Sequence, residues 1–204
     1  MRRAIAIVLP LTLVGVLGII ALNSGQQEPS VRESDLETPE PAPDFALTDH
    51  NGQPFRLSDQ RGNVVVLFFG YTSCPDVCPT TLALWRQVHD ALGPEAERVR
   101  FVFVTVDPDR DTPERLRQHL TVFNPAFLGL RGTPAELKQV YKAYDVSHEK
   151  VLVGQSAAGY LMNHTATVFV IGPEGRLGSS HGFFTPPEEV VSDIRQLLRR
   201  ENRS

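Results

Sequence analysis

Cysteine is scarce in this 204-residue chain: there are two, too few for a disulfide framework. A basic excess is missing as well. The 20 lysines and arginines face 24 acidic side chains for a net charge of −4, and no basic cluster is interleaved with aromatics. Without long-range attraction to phosphate, nucleic acid is excluded as a partner class. The 15 glycines are scattered and form neither G-x-x-x-x-G-K nor G-x-G-x-x-G, which argues against a nucleotide enzyme.

Charge is absent altogether from Ala4 to Leu22, a run close to the ~20 apolar residues that cross a bilayer as a helix. With no polar face, the segment does not read as a buried core helix. Arg2 and Arg3 precede it, and Glu28, Glu33, Asp35 and Glu37 follow, which places the N-terminus in the cytoplasm and the rest outside. The exit Ala21-Leu22-Asn23-Ser24 lacks an A-x-A-type site, and no cysteine follows for lipidation. Residues 1–22 are therefore expected to be a retained transmembrane anchor, with a cleaved signal peptide as the alternative. Residues 23–43 are acidic, proline-rich and poor in large apolar side chains, and read as an extended tether. Residues 44–204 remain, enough for one ordinary core and without visible repeats.

Within that domain, Phe45 to Thr48 and Pro54 to Leu57 flank Asp49-His50-Asn51-Gly52, whose Asn-Gly pair predicts an N-terminal hairpin. Val64 to Phe69 and Val99 to Val106 are nearly continuous apolar runs, the mark of strands covered on both faces. Pro79 to Leu92 carries Leu82, Leu84, Trp85, Val88 and Leu92 near helical spacing, and Pro113 to Leu120 forms a shorter helix. This β-α-β-α order predicts parallel pairing. Thr133-Pro134-Ala135-Glu136 is a capping box opening a helix through Tyr144. Thr165 to Ile171 and Leu177 to His181, around Gly172-Pro173-Glu174-Gly175, predict a second hairpin. A last helix spans Pro187 to Arg200, with acidic residues at its start and Arg199 and Arg200 at its end, as the helix dipole favours. The expected class is α/β, a mixed central sheet with helices on both faces.

The chemistry-bearing stretch is Tyr71-Thr72-Ser73-Cys74-Pro75-Asp76-Val77-Cys78-Pro79, leaving the carboxyl end of a buried strand and entering a helix. In open α/β sheets that crevice is where ligands bind. Cys-x-x-x-Cys on a first helical turn puts both sulfurs on one side, and the helix N-terminus favours the thiolate that binds metal and attacks disulfides. A purely structural disulfide is the bland alternative, but closing a loop this short stabilises by only roughly 2 kcal/mol. Two sulfurs leave a metal site incomplete, so a distant third ligand is expected. His50 lies in a turn, His89 and His119 in helices, His148 in a polar loop and His181 near a strand end, and all five read as solvated or hydrogen-bonded surface residues. His164 precedes the strand from Thr165, where a neighbouring strand could begin near the cysteine loop. Position alone leaves it open between ligand and ordinary strand-start histidine.

The cysteine stretch, followed by Thr105-Val106-Asp107-Pro108-Asp109-Arg110-Asp111-Thr112-Pro113, Gly129-Leu130-Arg131-Gly132-Thr133, His164-Thr165 and Gly172-Pro173-Glu174-Gly175, closely resembles the Sco/SenC family. The resemblance covers the chain from about Asp44 onward. It implies a thioredoxin-like fold and a membrane-anchored copper chaperone that assists assembly of the binuclear copper site of cytochrome c oxidase. By that resemblance Cys74, Cys78 and His164 correspond to ligands of copper, as Cu(I), Cu(II) or both, and Cys74 and Cys78 to a redox-active pair. The implied partners are the copper-bearing oxidase subunit, other periplasmic copper carriers and thiol reductants. The implied location is a bacterial inner membrane, with the folded domain on the periplasmic side. Family members often carry Asp before the ligand histidine, whereas Asn163 here keeps a hydrogen-bonding side chain and removes a charge. Asp107 and Asp111 follow a central strand and are expected to support the site, to take part in docking, or to cap the helix from Pro113; Asp76 is expected to favour the start of the cysteine-bearing helix. The alternative function is a thiol-disulfide oxidoreductase acting on the oxidase subunit or another extracytoplasmic target. Both functions need Cys74 and Cys78, but only the chaperone strictly needs His164.

Overall fold

The computed structural model describes residues 40–154 and 159–201. The expected anchor and residues 23–39 of the expected tether lie outside the described residues. Among the described residues, no helix is long and apolar enough to cross a membrane.

The N-terminal hairpin forms from β1 (Ala46–Asp49) and β2 (Pro54–Arg56), paired antiparallel with Leu47 opposite Phe55. Asp49 Oδ1 closes the turn by accepting from the Asn51 and Gln53 N–H groups at 2.8 Å each. Gly52 takes φ +79°, a conformation that costs an L side chain strain. β3 (Val64–Gly70) and β4 (Val99–Thr105) run parallel from the Val64 and Val99 pair to the Gly70 and Thr105 pair. All of β3 is buried, as its apolar run requires. β5 (Leu128–Arg131) lies parallel to β4 and antiparallel to β1. β6 (His148–Leu152) and β7 (Tyr160–His164) pair only with each other. β8 (Val168–Ile171) then returns antiparallel to β3, and β9 (Leu177–His181) completes the second hairpin. The main sheet has the order β2-β1-β5-β4-β3-β8-β9.

Among the described residues, four α-helices cover the sheet: α1 (Val77–Leu92), α2 (Pro113–Thr121), α3 (Pro134–Ala143) and α4 (Pro187–Glu201). Successive strand residues face opposite ways. The Phe68 ring meets Trp85 of α1, and the Phe69 ring meets Tyr141 of α3, each at 6.2 Å between centroids. α1 and α3 therefore lie on opposite faces. Gly129 is in register with Phe103, itself in register with Phe68, and Leu116 and Leu120 of α2 cover Gly129, so α2 shares the α1 face. α4 packs against α1 on that same side. The mixed sheet with helices on both faces matches the sequence reading, as does the capping box, where Thr133 N–H donates to Glu136 Oε2 at 2.7 Å and Thr133 Oγ1 accepts from Glu136 N–H at 3.3 Å.

Three features differ from that reading. β5 is only Leu-Gly-Leu-Arg, too short and too poor in β-branched residues to announce itself. β6 is polar and wholly exposed, so His148 lies in a strand and not in a loop. The predicted strand from Thr165 starts later, at Val168, because Thr165 is occupied otherwise: its N–H donates to the Ser147 carbonyl at 3.1 Å and its Oγ1 accepts from Ser147 N–H at 3.0 Å. His164 thus ends a preceding strand.

The chain is docked before Asp44. Leu177 N–H donates to the Glu40 carbonyl at 2.9 Å and Ala42 N–H to the Gly175 carbonyl at 3.0 Å. These contacts lie at the β8–β9 turn, beside the start of β3, because Ile171 is in register with Val65.

His50 is buried, and its Nδ1 accepts the Gly129 N–H at 3.0 Å, which requires a lone pair on that nitrogen. Burial lowers its pKa below the ordinary value, opposed by Asp49. A depressed histidine contributes stability that is present above its unfolded pKa of about 6.5 and is lost as the pH falls toward the folded value. Thermal unfolding between pH 7 and pH 5 is expected to show a declining midpoint, with a shallower slope in His50→Gln. Equal slopes in the two proteins would remove His50 as the cause.

Candidate metal centre

β3 delivers the cysteine loop. Its last residue must be glycine, since a Cβ on Gly70 would lie 2.8 Å from the rings of Phe68 and Phe103. The chain then passes through buried Tyr71 and turns into α1, with free Cys74 half-buried before the helix and free Cys78 buried in its first turn. Asp76 occupies the cap position but makes no side-chain cap bond. A sulfur does so instead: Cys78 N–H donates to Cys74 Sγ at 3.4 Å. The positive end of the helix thus faces that sulfur.

The Cys74 pKa is drawn well below the ordinary thiol range, chiefly by the side-chain hydrogen bond from Cys78 and against the effect of burial. The Cys78 pKa moves the other way, chiefly because its thiol proton serves the Cys74 sulfur and because it is buried. The two shifts run in opposite directions and favour negative charge on the more exposed Cys74 over the buried Cys78.

His164, the last residue of β7, approaches from the other side. Its Nε2 lies 3.6 Å from Cys78 Sγ. Nδ1 lies 2.9 Å from the Thr165 carbonyl, and since a carbonyl can only accept, Nδ1 carries the proton and Nε2 presents its lone pair to the sulfurs. The ring stands edge-on to Tyr71 at 5.7 Å and to Phe68 at 6.0 Å between centroids. The three donor atoms lie within 4.8 Å of one another, and among the described residues they are the group of side chains that could hold a metal ion. A groove of about 340 Å³ opens beside them, with Val77, Val151, Leu161 and Ala166 in its walls. Two sulfurs and one imidazole suit a soft monovalent ion such as Cu(I), whereas a structural zinc site closes with four ligands.

The remaining candidates are placed elsewhere. Asp111 is fully buried and accepts from Thr72 N–H at 3.1 Å, Thr72 Oγ1 at 2.6 Å and Thr105 Oγ1 at 2.7 Å, so it ties the cysteine loop to β4. Burial raises its pKa. Asp107 accepts from the Tyr160 hydroxyl at 2.8 Å and pairs with Arg110. Neither caps α2; Thr112 does, accepting from Arg115 N–H at 3.2 Å. Asn163 is exposed on the opposite face of β7 from His164, across from Glu149. The His148 ring lies tilted against Tyr141 at 4.5 Å between centroids, and His181 meets Asp193 at 3.2 Å. His50 is a buried core residue, and not a surface one. Tyr160 and the Phe68 ring against His164 could not be read from the sequence as site residues, because only the tertiary fold brings them there.

The SCO1/SenC family model matches residues 33–199. A SCO2-like protein of Rickettsia conorii is 32% identical over 152 residues, which is 74% of each chain. Among solved structures, ScoI of Bradyrhizobium japonicum with copper bound superposes with a TM-score of 0.70 at 38% identity, covering 76% of this chain and 98% of that one. The apo Sco1 protein of Thermus thermophilus is 41% identical, with a TM-score of 0.70 over 79% of this chain and 94% of that one.

Proposed function

This chain belongs to the SCO1/SenC family, and from that premise we propose that it is a copper-binding protein that holds one copper ion on Cys74, Cys78 and His164 and passes it to the copper-bearing subunit of cytochrome c oxidase. The observation that carries the reading is the convergence of two sulfurs and a lone-pair-bearing Nε2 within 4.8 Å. Cys74 offers a thiolate at once, and Cys78 gives up its proton when the ion displaces the sulfur–sulfur hydrogen bond. Asp111 holds the loop that carries the sulfurs, and the Thr165 carbonyl holds the imidazole in the tautomer that binds. The proposal places residues 1–22 in a bacterial inner membrane as an anchor, with the folded domain on the periplasmic side. The uncharged run after Arg2 and Arg3 supports this.

A second reading rests on the unequal thiols. Half-exposed Cys74, as thiolate, attacks one sulfur of a target disulfide and expels the other as a thiolate. Cys78 then passes its proton to the expelled thiolate and attacks Cys74 in the mixed disulfide, displacing the second target sulfur as a thiolate and leaving a Cys74–Cys78 disulfide and a reduced target.

His164→Ala separates the two readings. The reduced full chain is expected to bind one copper ion, and the variant to lose at least about tenfold in Cu(II) affinity while its dithiol oxidises and is reduced as before. Oxidase assembly fails in a strain carrying only the variant. An active oxidase with a copper-free variant would establish the reductase reading instead.

A further inference from the structure

The β6–β7 ribbon carries His164 yet, among the described residues, shares no pairing with the main sheet. A lone two-stranded ribbon has little stability of its own, and every residue of β6 is exposed. What holds the ribbon to the body is therefore a question about side chains. Alternation along β7 puts Tyr160, Met162 and His164 on one face. Met162, in the middle, is buried, and His164 meets Cys78 at one end.

At the other end Tyr160 meets the loop after β4. Its hydroxyl donates to Asp107 Oδ1 at 2.8 Å, and the Arg110 guanidinium carbon lies 3.6 Å from the centre of its ring. Arg110 Nη1 also donates to the Tyr160 carbonyl at 2.9 Å, and Arg110 pairs with Asp107. From β6, Lys150 lies 4.2 Å from the same ring centre and bonds Asp109 at 3.2 Å. Both strands of the ribbon are thus pinned to one loop. That loop is continuous with Asp111, which holds Thr72 in the cysteine loop.

We infer that Arg110 and Tyr160 form a latch that positions His164, holding the ribbon so that Nε2 faces the two sulfurs. They are positioning residues and touch no donor atom. Four strand steps, roughly 13 Å, separate Tyr160 from His164, and a strand passes a displacement at one end to the other. With the latch closed the chain offers three ligands. With it open, the dithiol stays where β3 and α1 place it and the imidazole moves away. The latch rests on the copper reading above and deepens it: it sets the balance between holding an ion and presenting a bare dithiol.

The test measures Cu(II) affinity by chelator competition in the full chain for Tyr160→Ala and Arg110→Ala, each alone and combined with His164→Ala. A positioning partner of a metal ligand typically contributes 10–100-fold in affinity, so each single variant is expected to lose about that much. Added to His164→Ala, the same changes are expected to cost less than about twofold, since nothing is left to position. Without metal, amide hydrogen exchange should quicken in β7 and stay unchanged in β3 and β4. Unchanged affinity in both single variants overturns the latch while leaving the copper site intact. So does a loss that persists undiminished on the His164→Ala background, which marks general loosening. If His164→Ala itself binds as the parent does, the ligand assignment and the latch fall together.

Discussion

Exchange of either cysteine for serine is expected to lower Cu(I) affinity by more than about a hundredfold, because even an outer partner of a metal ligand contributes up to that much. A serine hydroxyl is a hard donor that stays protonated at neutral pH, and one thiolate with one imidazole leaves a soft ion short of ligands. The structure separates this effect from unfolding. In Cys74→Ser the new hydroxyl can still accept the Cys78 N–H, as serine does at helix caps. In Cys78→Ser the hydroxyl is buried, but His164 Nε2 stands ready to accept from it. Competition against a Cu(I) chelator, read beside thermal unfolding, measures both quantities. A serine variant that keeps the parent affinity removes that residue from the donor set.

The largest expected effect on stability is at Phe68. Its side chain is fully buried, with Trp85 at 6.2 Å, Phe103 at 5.9 Å and His164 at 6.0 Å between ring centroids. Phe68→Ala removes the ring from the junction of sheet, helix and site. Such truncations cost about 3–5 kcal/mol, which for a domain of this size lowers the unfolding midpoint by roughly 6–20 °C. Phe184, 79% exposed, supplies the contrast: Phe184→Ala should stay within about 0.5 kcal/mol of the parent. Calorimetry on both variants checks the pair, and a Phe68→Ala midpoint within 2 °C of Phe184→Ala would contradict the packing account.

What the sequence discloses depends on how local the cause is. Val64 to Phe69 is apolar on both faces, so burial between helices could be read directly, and the capping box at Thr133 needs only its own residues. The two cysteines could be placed on a helix start because their spacing is local. His164 is different. Its approach to Cys78, 86 positions earlier, depends on a ribbon whose strands mix polar and apolar residues without a clear alternating pattern. Motif order supplied the expectation that periodicity could not. The same holds for Asp111: capping chemistry and loop bracing draw on the same residue type, and only the fold decides between them by burying its carboxylate against Thr72 and Thr105.

The contacts of Glu40 and Ala42 with the β8–β9 turn lie at the end of the sheet where β3 begins, while Cys74 follows the end where it finishes. Val65 and Gly70 mark those two ends, five strand steps or roughly 17 Å apart. An attachment made at Glu40, whether a sensor chip, a bead or a fused fluorescent protein, therefore grips the domain at one end of the sheet and leaves the cysteine loop at the other. Surface-based binding measurements on the domain should be coupled through that end, the one opposite the cysteine loop.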